Sequence, residues 1–401
     1  MPMEIQERFD EIRTRCTGCA ACANACIQDC LKMAPDELGV VRPQVDRGSC
    51  KACGLCLKAC PVKSPLKLSR PISCEAAWME DRAKRALCAS GGLATLLSEA
   101  AIEKCGGVVF GTAYDEELLP RLTVAENSSQ LERFKGSKYI QSSVSTDAYR
   151  QVRRFLRDGR FVLFVGTPCM VSGLKAYLGG DPDNLVTVDL ICHGVCPSSY
   201  FREELETICE RNGLSGIDNA RFRGNDGNNY KLTLWKSGRR VYCGDKLQDY
   251  YLAGFLEGVT LRENCYQCAY AREERVSDIT LGDFIGLGLQ GEFPYPRKNN
   301  SVILVNTEKG QAFRKHALAD RKDLVAIARP YAERLQYAPG LRVPARRSPM
   351  NARFRSLCPG LGFSKAIRRT MGSHLLWERI RRRVRRMVRR LFSHRPKGGA
   401  Q

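Results

Sequence analysis

Apolar runs of strand length alternate with helix-length periodic segments through the middle of the chain. Strands are predicted where such runs are bounded by glycine or polar turns, at residues 107–114, 161–166, 185–192 and 301–307. Between them, apolar residues at helical spacing predict a helix from Leu93 to Ala101 and further helices at 146–158, 170–178 and 198–212. This alternation predicts an α/β body with parallel strands.

Two cysteine runs with one shared spacing precede this body. They are Cys16-x-x-Cys19-x-x-Cys22-x-x-x-Cys26 and Cys50-x-x-Cys53-x-x-Cys56-x-x-x-Cys60. Bacterial two-cluster ferredoxins have this repeated pattern, and the fourth cysteine of each run ligates the other cluster. The spacing therefore predicts one 4Fe-4S cluster on Cys16, Cys19, Cys22 and Cys60, and a second on Cys50, Cys53, Cys56 and Cys26. The alternative is a pair of structural zinc sites, which usually have separate ligand pairs.

The first run departs from the second at its end. Pro61 follows the second run, whereas Ile27 follows the first, and an additional cysteine, Cys30, comes three residues later. Cys30 is either an alternative ligand to Cys26 or a free thiol nearby. We favour Cys26, because its spacing mirrors that of Cys60.

Four cysteines of the body form a third candidate site. Cys169 and Cys192 follow two of the predicted strands, and Cys265 and Cys268 form a C-x-x-C pair. Ligand sites of open α/β sheets lie at the carboxyl ends of strands, so a third 4Fe-4S cluster is one interpretation. The other is that Cys169 and Cys192 are buried core thiols and that the C-x-x-C pair binds zinc or is redox-active. Cys196 is a rival ligand to Cys192.

Two loops of the body are candidates for binding an anionic cofactor. Ser90, Gly91 and Gly92 form a tight turn into a helix, whose free N–H groups can hold a phosphate. The plain alternative is a helix cap. Lys138 and Tyr139 lie in a second loop, which either contacts an anionic or aromatic cofactor or is simply solvated.

Composition is ordinary for a soluble globular protein, at 43% hydrophobic and 27% charged residues, but the 20 cysteines are unusual. The chain begins with a polar segment rather than a signal sequence, and no apolar run approaches the roughly 18 residues that span a bilayer. Cysteines in such a protein favour metal or redox use in a reducing cytosol. We therefore expect a cytoplasmic protein.

The formal net charge of +21 is concentrated at the end of the chain. From Ser364 to Gln401 there are 13 Lys or Arg residues and one acid, so the rest is only mildly basic. This distribution argues against nucleic acid as the partner. Residues 377–392 have one apolar helical stripe among arginines, which predicts a basic amphipathic helix in reversible contact with an anionic membrane surface, on its inner face. A solvated or RNA-binding tail is the alternative.

Several segments together resemble the coenzyme F420 hydrogenase/dehydrogenase beta-subunit family. They are CASGG with VVFGTAYD, KGSKYIQSS, VGTPCMVSGLKAYLG, VDLICHGVCPSSYF and NCYQCAYAREERVSDITLGDF, in the right order over roughly residues 10 to 310. Relatives include the 7-hydroxymethyl chlorophyll a reductases and many bacterial proteins linked to surface-polysaccharide genes. The resemblance implies an iron–sulfur flavoprotein, in which a ferredoxin-like module passes electrons to FAD held by the α/β body.

The resemblance also assigns roles residue by residue. Residues that match cofactor-binding motifs are Ser90, Gly91, Gly92, Lys138, Tyr139 and Thr167. A third cluster is favoured, held by Cys169, Cys192, Cys265 and Cys268. His193 matches a Cys-His-Gly motif and would position a hydride acceptor or donate a proton, or else bond a backbone carbonyl. Met170 stands where Gln is frequent, and Cys196 where the family often runs straight on to Pro, so both depart from the pattern.

The predicted organisation is a two-cluster 4Fe-4S ferredoxin-like domain (1–70), a linker (71–87), two parts of the hydrogenase/dehydrogenase body (88–180 and 181–340) and a basic tail (341–401). The favoured function is an oxidoreductase moving electrons between ferredoxin, or a deazaflavin such as coenzyme F420, and a substrate through clusters and FAD. One alternative is an electron-transfer subunit docked on a partner enzyme, with surface-polysaccharide biosynthesis as a setting. Another is a zinc-dependent nucleic-acid binder.

Overall fold

The computed structural model of the chain describes residues 2–224, 230–289 and 293–393. Its strands are β1 (Leu31–Pro35), β2 (Val41–Val45), β3 (Ser73–Met79), β4 (Val108–Tyr114), β5 (Pro120–Ala125), β6 (Val162–Gly166), β7 (Leu185–Leu190), β8 (Asn219–Arg221), β9 (Leu232–Lys236), β10 (Arg239–Gly244), β11 (Ile279–Asp283), β12 (Ser301–Val305) and β13 (Leu324–Ala328).

The helices are α1 (Pro2–Asp10), α2 (Ala21–Ala25), α3 (Leu55–Lys58), α4 (Arg82–Ala86), α5 (Leu93–Glu103), α6 (Ala148–Arg157), α7 (Pro168–Leu178), α8 (Ser198–Asn212), α9 (Tyr250–Leu256), α10 (Glu308–Leu318), α11 (Tyr331–Gln336) and α12 (Asn351–Ser393). Short 3₁₀ helices lie at Ser128–Phe134, Glu263–Gln267 and Pro339–Leu341. The backbone of α12 is broken at Gly362 (φ 72°, ψ 170°), so it consists of two helices in succession.

An eight-stranded sheet runs through the body in the order β13-β3-β12-β11-β7-β6-β4-β5. The central strands β4, β6, β7 and β11 pair in parallel. Antiparallel pairing adds β5 at one edge and β12, β3 and β13 at the other. The central strands are almost uninterrupted apolar runs, as expected where both faces of a sheet are covered. The predicted α/β class is confirmed, with a mixed rather than purely parallel sheet.

Helices cover both faces of this sheet. On one face, Leu97 of α5 and Phe313 of α10 belong to a core with Leu163 of β6. The other face carries Phe110 and Phe164, and it is covered by α6, α7 and the N-terminal module. Neighbouring residues of β6 thus face opposite sides, following the two-residue period of a strand.

The N-terminal module, made of α1, α2, the β1-β2 hairpin and α3, is bonded directly to the body. The side chain of Asn24 donates to the Ser145 carbonyl at 2.9 Å and accepts from the Tyr149 N–H at 2.9 Å. Arg150 of α6 donates to the carbonyl oxygens of Asn24 at 3.0 Å and Cys26 at 2.6 Å. These bonds fix the cysteine loops against the sheet.

A second core lies beside the sheet, between α8, α9, α12 and a three-stranded sheet in the order β10-β9-β8. Aromatic side chains fill it, and Tyr200 of α8 stacks on Phe363 of α12 with ring centroids 4.9 Å apart. The predicted tail 341–401 therefore differs from the structure: α12 packs on the body as far as Leu375, and residues 394–401 lie outside the described part. None of the described helices combines the length and apolarity needed to cross a membrane.

The expected linker 71–87 also differs from the structure. It contributes β3, which lies inside the sheet between β12 and β13, and the short helix α4. The strand reads Ser-Cys-Glu-Ala-Ala-Trp-Met, and five of these residues are buried. The linker was expected because of Pro65, Pro71 and mixed charge, whereas pairing with two neighbouring strands stabilises this segment.

Candidate cofactor sites

The two cysteine runs form two loops with the same backbone conformation. Gly18 and Ala52 occupy equivalent positions and have positive φ (67° and 52°), as do Ala20 and Gly54 (60° and 76°). Small residues at these positions allow the left-handed backbone with which each run curls around one point. The repeat seen in the sequence is therefore a repeat of backbone conformation.

The fourth cysteine of each run lies close to the other run. One small cavity of about 330 Å³ is lined by Cys16, Cys19, Cys22 and Cys60. In the second group, burial raises the pKa of Cys56 to about 11, and the nearby Cys26 and Cys53 add to the rise. Cys53 is exposed, whereas Cys26 and Cys56 are buried.

Cys30 is a fifth thiol at the second group. Its sulfur lies 3.3 Å from that of Cys26. Burial raises the pKa of Cys30 to about 12, and Cys26 and Cys50 also contribute. Cys26 and Cys30 are thus both positioned as ligands, and the preference for Cys26 still rests on the spacing.

The third group forms at one end of the sheet. Cys169 lies in the first turn of α7, directly after β6, and Cys192 follows β7, the parallel neighbour of β6. Cys265 and Cys268 come from the 3₁₀ helix Glu263–Gln267 and its end. Burial raises the pKa of Cys192 well above its usual value, and the nearby Cys265, Cys169 and Cys268 add to this rise. The structure therefore brings the four predicted ligands together.

Cys196, the rival ligand, belongs to the second core. It is fully buried, and its sulfur lies 3.2 Å from the hydroxyl oxygen of Thr260. Burial raises the pKa of Cys196 to about 12. This contact occupies the thiol of Cys196. Of the two cysteines, Cys192 is therefore better placed to be a ligand of the third group.

Each of the three cysteine groups contains four thiols. Across the described ranges, no three Cys, His, Asp or Glu side chains surround a point where one metal ion would sit. Ligands of a cube are spread around a larger object, and buried thiolates require such a cationic centre to offset their desolvation. The three groups have the composition of 4Fe-4S sites.

An open cleft lies between the N-terminal module and the carboxyl ends of β6 and β7. Thr17, Gly18 and Cys19 line it on the side of the module. Cys169 lines it on the side of the body, and the start of α5, at Gly92, lines it as well. The first and third cysteine groups therefore border one common space.

Predicted cofactor-binding residues divide into two sets. Gly92, Lys138 and Thr167 line the cleft. Ser90 and Gly91 instead hold the turn against the sheet: the Ser90 hydroxyl donates to the Asp283 carboxylate, and the Gly91 N–H donates to the Ser301 hydroxyl at 2.9 Å.

Tyr139 and His193 lie on either side of Phe255. The Tyr139 ring stacks on Phe255 with centroids 4.9 Å apart, and the His193 ring meets it edge-on at 5.1 Å. Burial lowers the pKa of His193, while a hydrogen bond with the Phe255 backbone acts in the opposite direction. This placement is the one expected if His193 bonds a backbone carbonyl.

Three residues at the sites were not singled out from the sequence. Gln141 and Thr17 line the cleft, and among the described residues Gln141 Oε1 and Thr17 Oγ1 are buried without a hydrogen-bond partner. Arg262 is fully buried and donates to the carbonyl oxygens of Thr17 at 2.7 Å and Cys16 at 3.1 Å. An arginine next to a cysteine pair was the only available hint, because nothing in the sequence links residue 262 to the first cysteine run.

A ferredoxin-like module of paired cysteine loops on an α/β body defines an iron–sulfur electron-transfer protein. Residues 15–64 match the family of 4Fe-4S dicluster domains. Residues 159–327 match the family model for the C terminus of the coenzyme F420 hydrogenase/dehydrogenase beta subunit. Over these residues the chain is similar to the coenzyme F420 hydrogenase/dehydrogenase beta-subunit family, as its sequence motifs indicated, and that family consists of subunits of oxidoreductases.

Among solved structures, 14 chains match. One is a chain of the F420-reducing [NiFe] hydrogenase complex from Methanosarcina barkeri, from a study of its xenon derivatisation. It is 18% identical, with a TM-score of 0.46, over 76% of the present chain and 92% of that chain. No curated protein matches the sequence.

Proposed function

We propose that the chain is an iron–sulfur flavoprotein oxidoreductase with three 4Fe-4S clusters and one FAD. The proposed ligand groups are Cys16, Cys19, Cys22 and Cys60; Cys26, Cys50, Cys53 and Cys56; and Cys169, Cys192, Cys265 and Cys268. FAD would occupy the cleft. When bound, the clusters carry single electrons and the flavin links them to a substrate.

The shared cleft is the observation that carries this proposal. Cys19 and Cys169 both line it, so its occupant lies next to two cysteine groups. Gly173 of α7 permits the close approach, because a Cβ added there would lie 2.9 Å from the Cys19 sulfur. Electron exchange requires this closeness between carriers, and the arrangement is built from the module and the body together.

The residues of the cleft fit a flavin dinucleotide. The N-terminus of α5 at Gly92 offers backbone N–H groups and a positive dipole end for phosphates. Gln141 Oε1 and Thr17 Oγ1 add unpaired acceptors that are ready for N–H or O–H donors of the cofactor.

The guanidinium group of Arg262 would place a positive charge between the first and third clusters. Burial lowers the pKa of Arg262, while the nearby Cys16, Cys265 and Cys169 act in the opposite direction. Its bonds to Thr17 and Cys16 hold the first cysteine loop in place. We assign it to positioning that loop and to stabilising the added negative charge of reduced clusters.

The second cysteine group is where a redox partner protein would dock. Cys53 is exposed there, and Ile27 and Leu55 are exposed apolar neighbours of the cysteines in sequence. A small apolar rim around an accessible cluster suits a transient encounter with ferredoxin. A deazaflavin such as coenzyme F420 would meet the flavin through the cleft instead.

This exposed edge also favours the second candidate function, an electron-transfer subunit docked on a partner enzyme, with surface-polysaccharide biosynthesis as a setting. Turnover separates the two functions. The isolated chain, supplied with reduced ferredoxin or reduced F420, turns over an electron acceptor if it is an oxidoreductase by itself. A protein that only relays electrons becomes reduced and stops.

Anaerobically purified protein should contain about 12 iron atoms, from three four-iron clusters, and one extractable flavin. Cys265→Ser/Cys268→Ser should lose about four of these irons. Gln141→Leu should retain flavin roughly tenfold more weakly, because a buried bond to the cofactor is lost, and should keep its iron. Gln311→Leu, the same change on the exposed face of α10, should keep both.

Iron and flavin content decide the proposal. A colourless protein without iron would overturn it. An iron content near eight that is unchanged in Cys265→Ser/Cys268→Ser would remove the third cluster. If Gln311→Leu lost as much flavin as Gln141→Leu, the result would show that the flavin does not bind in the cleft.

A further inference from the structure

The last helix has a largely exposed apolar face in the described part of the chain. Leu375 is fully buried, but beyond it Trp377, Ile380, Val384 and Met387 are between 51% and 65% exposed. Large apolar side chains in such a row are unusual on a free surface. The exposed stripe begins within one turn of buried Leu375.

The stripe points away from the body. Arg379 donates to the Leu247 carbonyl at 2.6 Å and Arg382 to Asp245 at 2.6 Å, so both face inward with Leu375. At 3.6 residues per turn, these three positions lie within roughly 60° of one another around the axis. Ile380 and Val384 lie about 140° to 180° from Leu375, so the apolar stripe is turned toward the exterior.

Arginines border the stripe on both sides. Between Leu376 and Val388 the helix carries six arginines and one acid, Glu378. Arg381 lies over the Trp377 ring at 5.1 Å and donates to Glu378 at 3.3 Å. The outward surface therefore combines apolar side chains with a high density of positive charge.

Of a second copy of this helix, an RNA and an anionic bilayer, the bilayer alone satisfies both features. A second copy of this helix would cover the apolar stripe but bring two rows of arginines together, which destabilises the pair. RNA would neutralise the arginines through its phosphates and leave the apolar side chains uncovered. An anionic bilayer accepts apolar side chains below its headgroups and holds arginines at its charged surface.

We propose that residues 376–388 dock this protein on an anionic lipid surface, with the apolar stripe inserted at the headgroup boundary. Trp377 lies at the edge of the stripe, where an indole ring suits the interface. Docking is reversible, because the stripe is short and the attraction is screened by salt. Since the face is opposite to the contacts with the body, binding leaves the cofactor sites unchanged.

Sedimentation with vesicles tests this proposal on the full-length holoprotein after nuclease treatment. Protein should pellet with vesicles that contain phosphatidylglycerol, at least about tenfold less with phosphatidylcholine alone, and less at high salt. Ile380→Glu/Met387→Glu should reduce pelleting by about tenfold or more. Trp377 emission should shift to shorter wavelength on binding, and Trp377→Phe should abolish that shift.

The matched control is Ile72→Glu/Val343→Glu, which makes the same two changes at apolar side chains 51% and 55% exposed elsewhere. It should pellet like the wild type, and iron content should be equal in all variants. Equal pelleting of the helix variant and the control would contradict the proposal. Equal binding to both kinds of vesicle would contradict it as well. So would a vesicle-independent loss of self-association in the helix variant.

Discussion

Lys138 lies on the lining of the cleft, but its ammonium group is bonded to the backbone. Its Nζ donates to the carbonyl oxygens of Arg133 at 3.1 Å, Phe134 at 3.4 Å and Lys135 at 3.0 Å. It also lies 5.0 Å from the centre of the Tyr114 ring. Lys138 thus closes the end of the 3₁₀ helix that borders the cleft. Burial, with a smaller effect of Arg221, lowers the pKa of Lys138 to about 7.

This pKa makes stability depend on pH in a defined window. Above about pH 7 the folded protein has released the proton, whereas the unfolded chain keeps it up to about pH 10.4. The unfolded state then binds more protons, so the free energy of unfolding rises with pH across this window, by about 1 kcal/mol per unit at most.

Thermal unfolding between about pH 7 and pH 9 measures the effect. Lys138→Met should remove the rise in Tm, whatever its effect on absolute stability. Lys298→Met, at an exposed lysine, should keep it. The same slope in the wild type and in Lys138→Met would show that another group is responsible.

At the scale of single residues, the sequence predicted ligands better than their surroundings. Cysteine spacing identified the members of the first two groups, because the spacing itself creates the loop. It left Cys26 and Cys30 as alternatives, and the structure explains why, since their sulfurs are 3.3 Å apart. Gln141, Thr17 and Arg262 were beyond prediction, because their importance comes from chain segments far apart in sequence.

At the scale of elements, apolar runs predicted β4, β6, β7 and β12 and periodic segments predicted α5 to α8. The residues at helical spacing that predicted α5 are all buried: Leu93, Leu96, Leu97, Ala100 and Ala101. The strands β3, β5 and β13 were missed. Edge strands such as β5 and β13 have polar residues on a solvated side, and β3 is rich in alanine, so pairing with neighbours rather than composition determines them.

The turn before α5 provides a test at this scale. A Cβ on Gly91 would lie 2.2 Å from the Ala77 carbonyl oxygen and 2.9 Å from the Ser301 nitrogen, both of them backbone atoms of the sheet. Gly91→Ala should therefore lower the free energy of unfolding by about 1–3 kcal/mol and release flavin by displacing Gly92.

Thermal melts and flavin extraction check this expectation. Gly180→Ala is the matched control, because an added Cβ there meets open space. It should change neither Tm nor flavin content. If Gly91→Ala behaves like Gly180→Ala, the turn does not pack against the backbone of the sheet as closely as described.

At the scale of the whole molecule, the module and the body are joined through a buried charge. Arg262 comes from the body and bonds the first cysteine loop of the module. A positive charge beside a cluster stabilises its reduced form. Removing it in Arg262→Gln should lower the midpoint potential of the first cluster by roughly 60 mV, the equivalent of a tenfold change for one electron.

Redox titration followed by electron paramagnetic resonance measures this shift. Arg346→Gln, at an exposed arginine, should leave the potentials within error. A merely structural role for Arg262 would reduce the iron content without moving the potential of the clusters that remain. An unchanged potential at full iron content would refute the electrostatic role.

The route of the chain out of the module restricts where its gene can be cut and rejoined. Beyond Cys60, the backbone of Ser69 already pairs with Arg275, at 2.8 Å in each direction, and β3 then enters the sheet between β12 and β13. A breakpoint after β3 would carry an inner strand away and leave two open edges, which are templates for aggregation. Exchange of the ferredoxin-like module for another electron carrier is thus confined to a junction between Pro61 and Ser69.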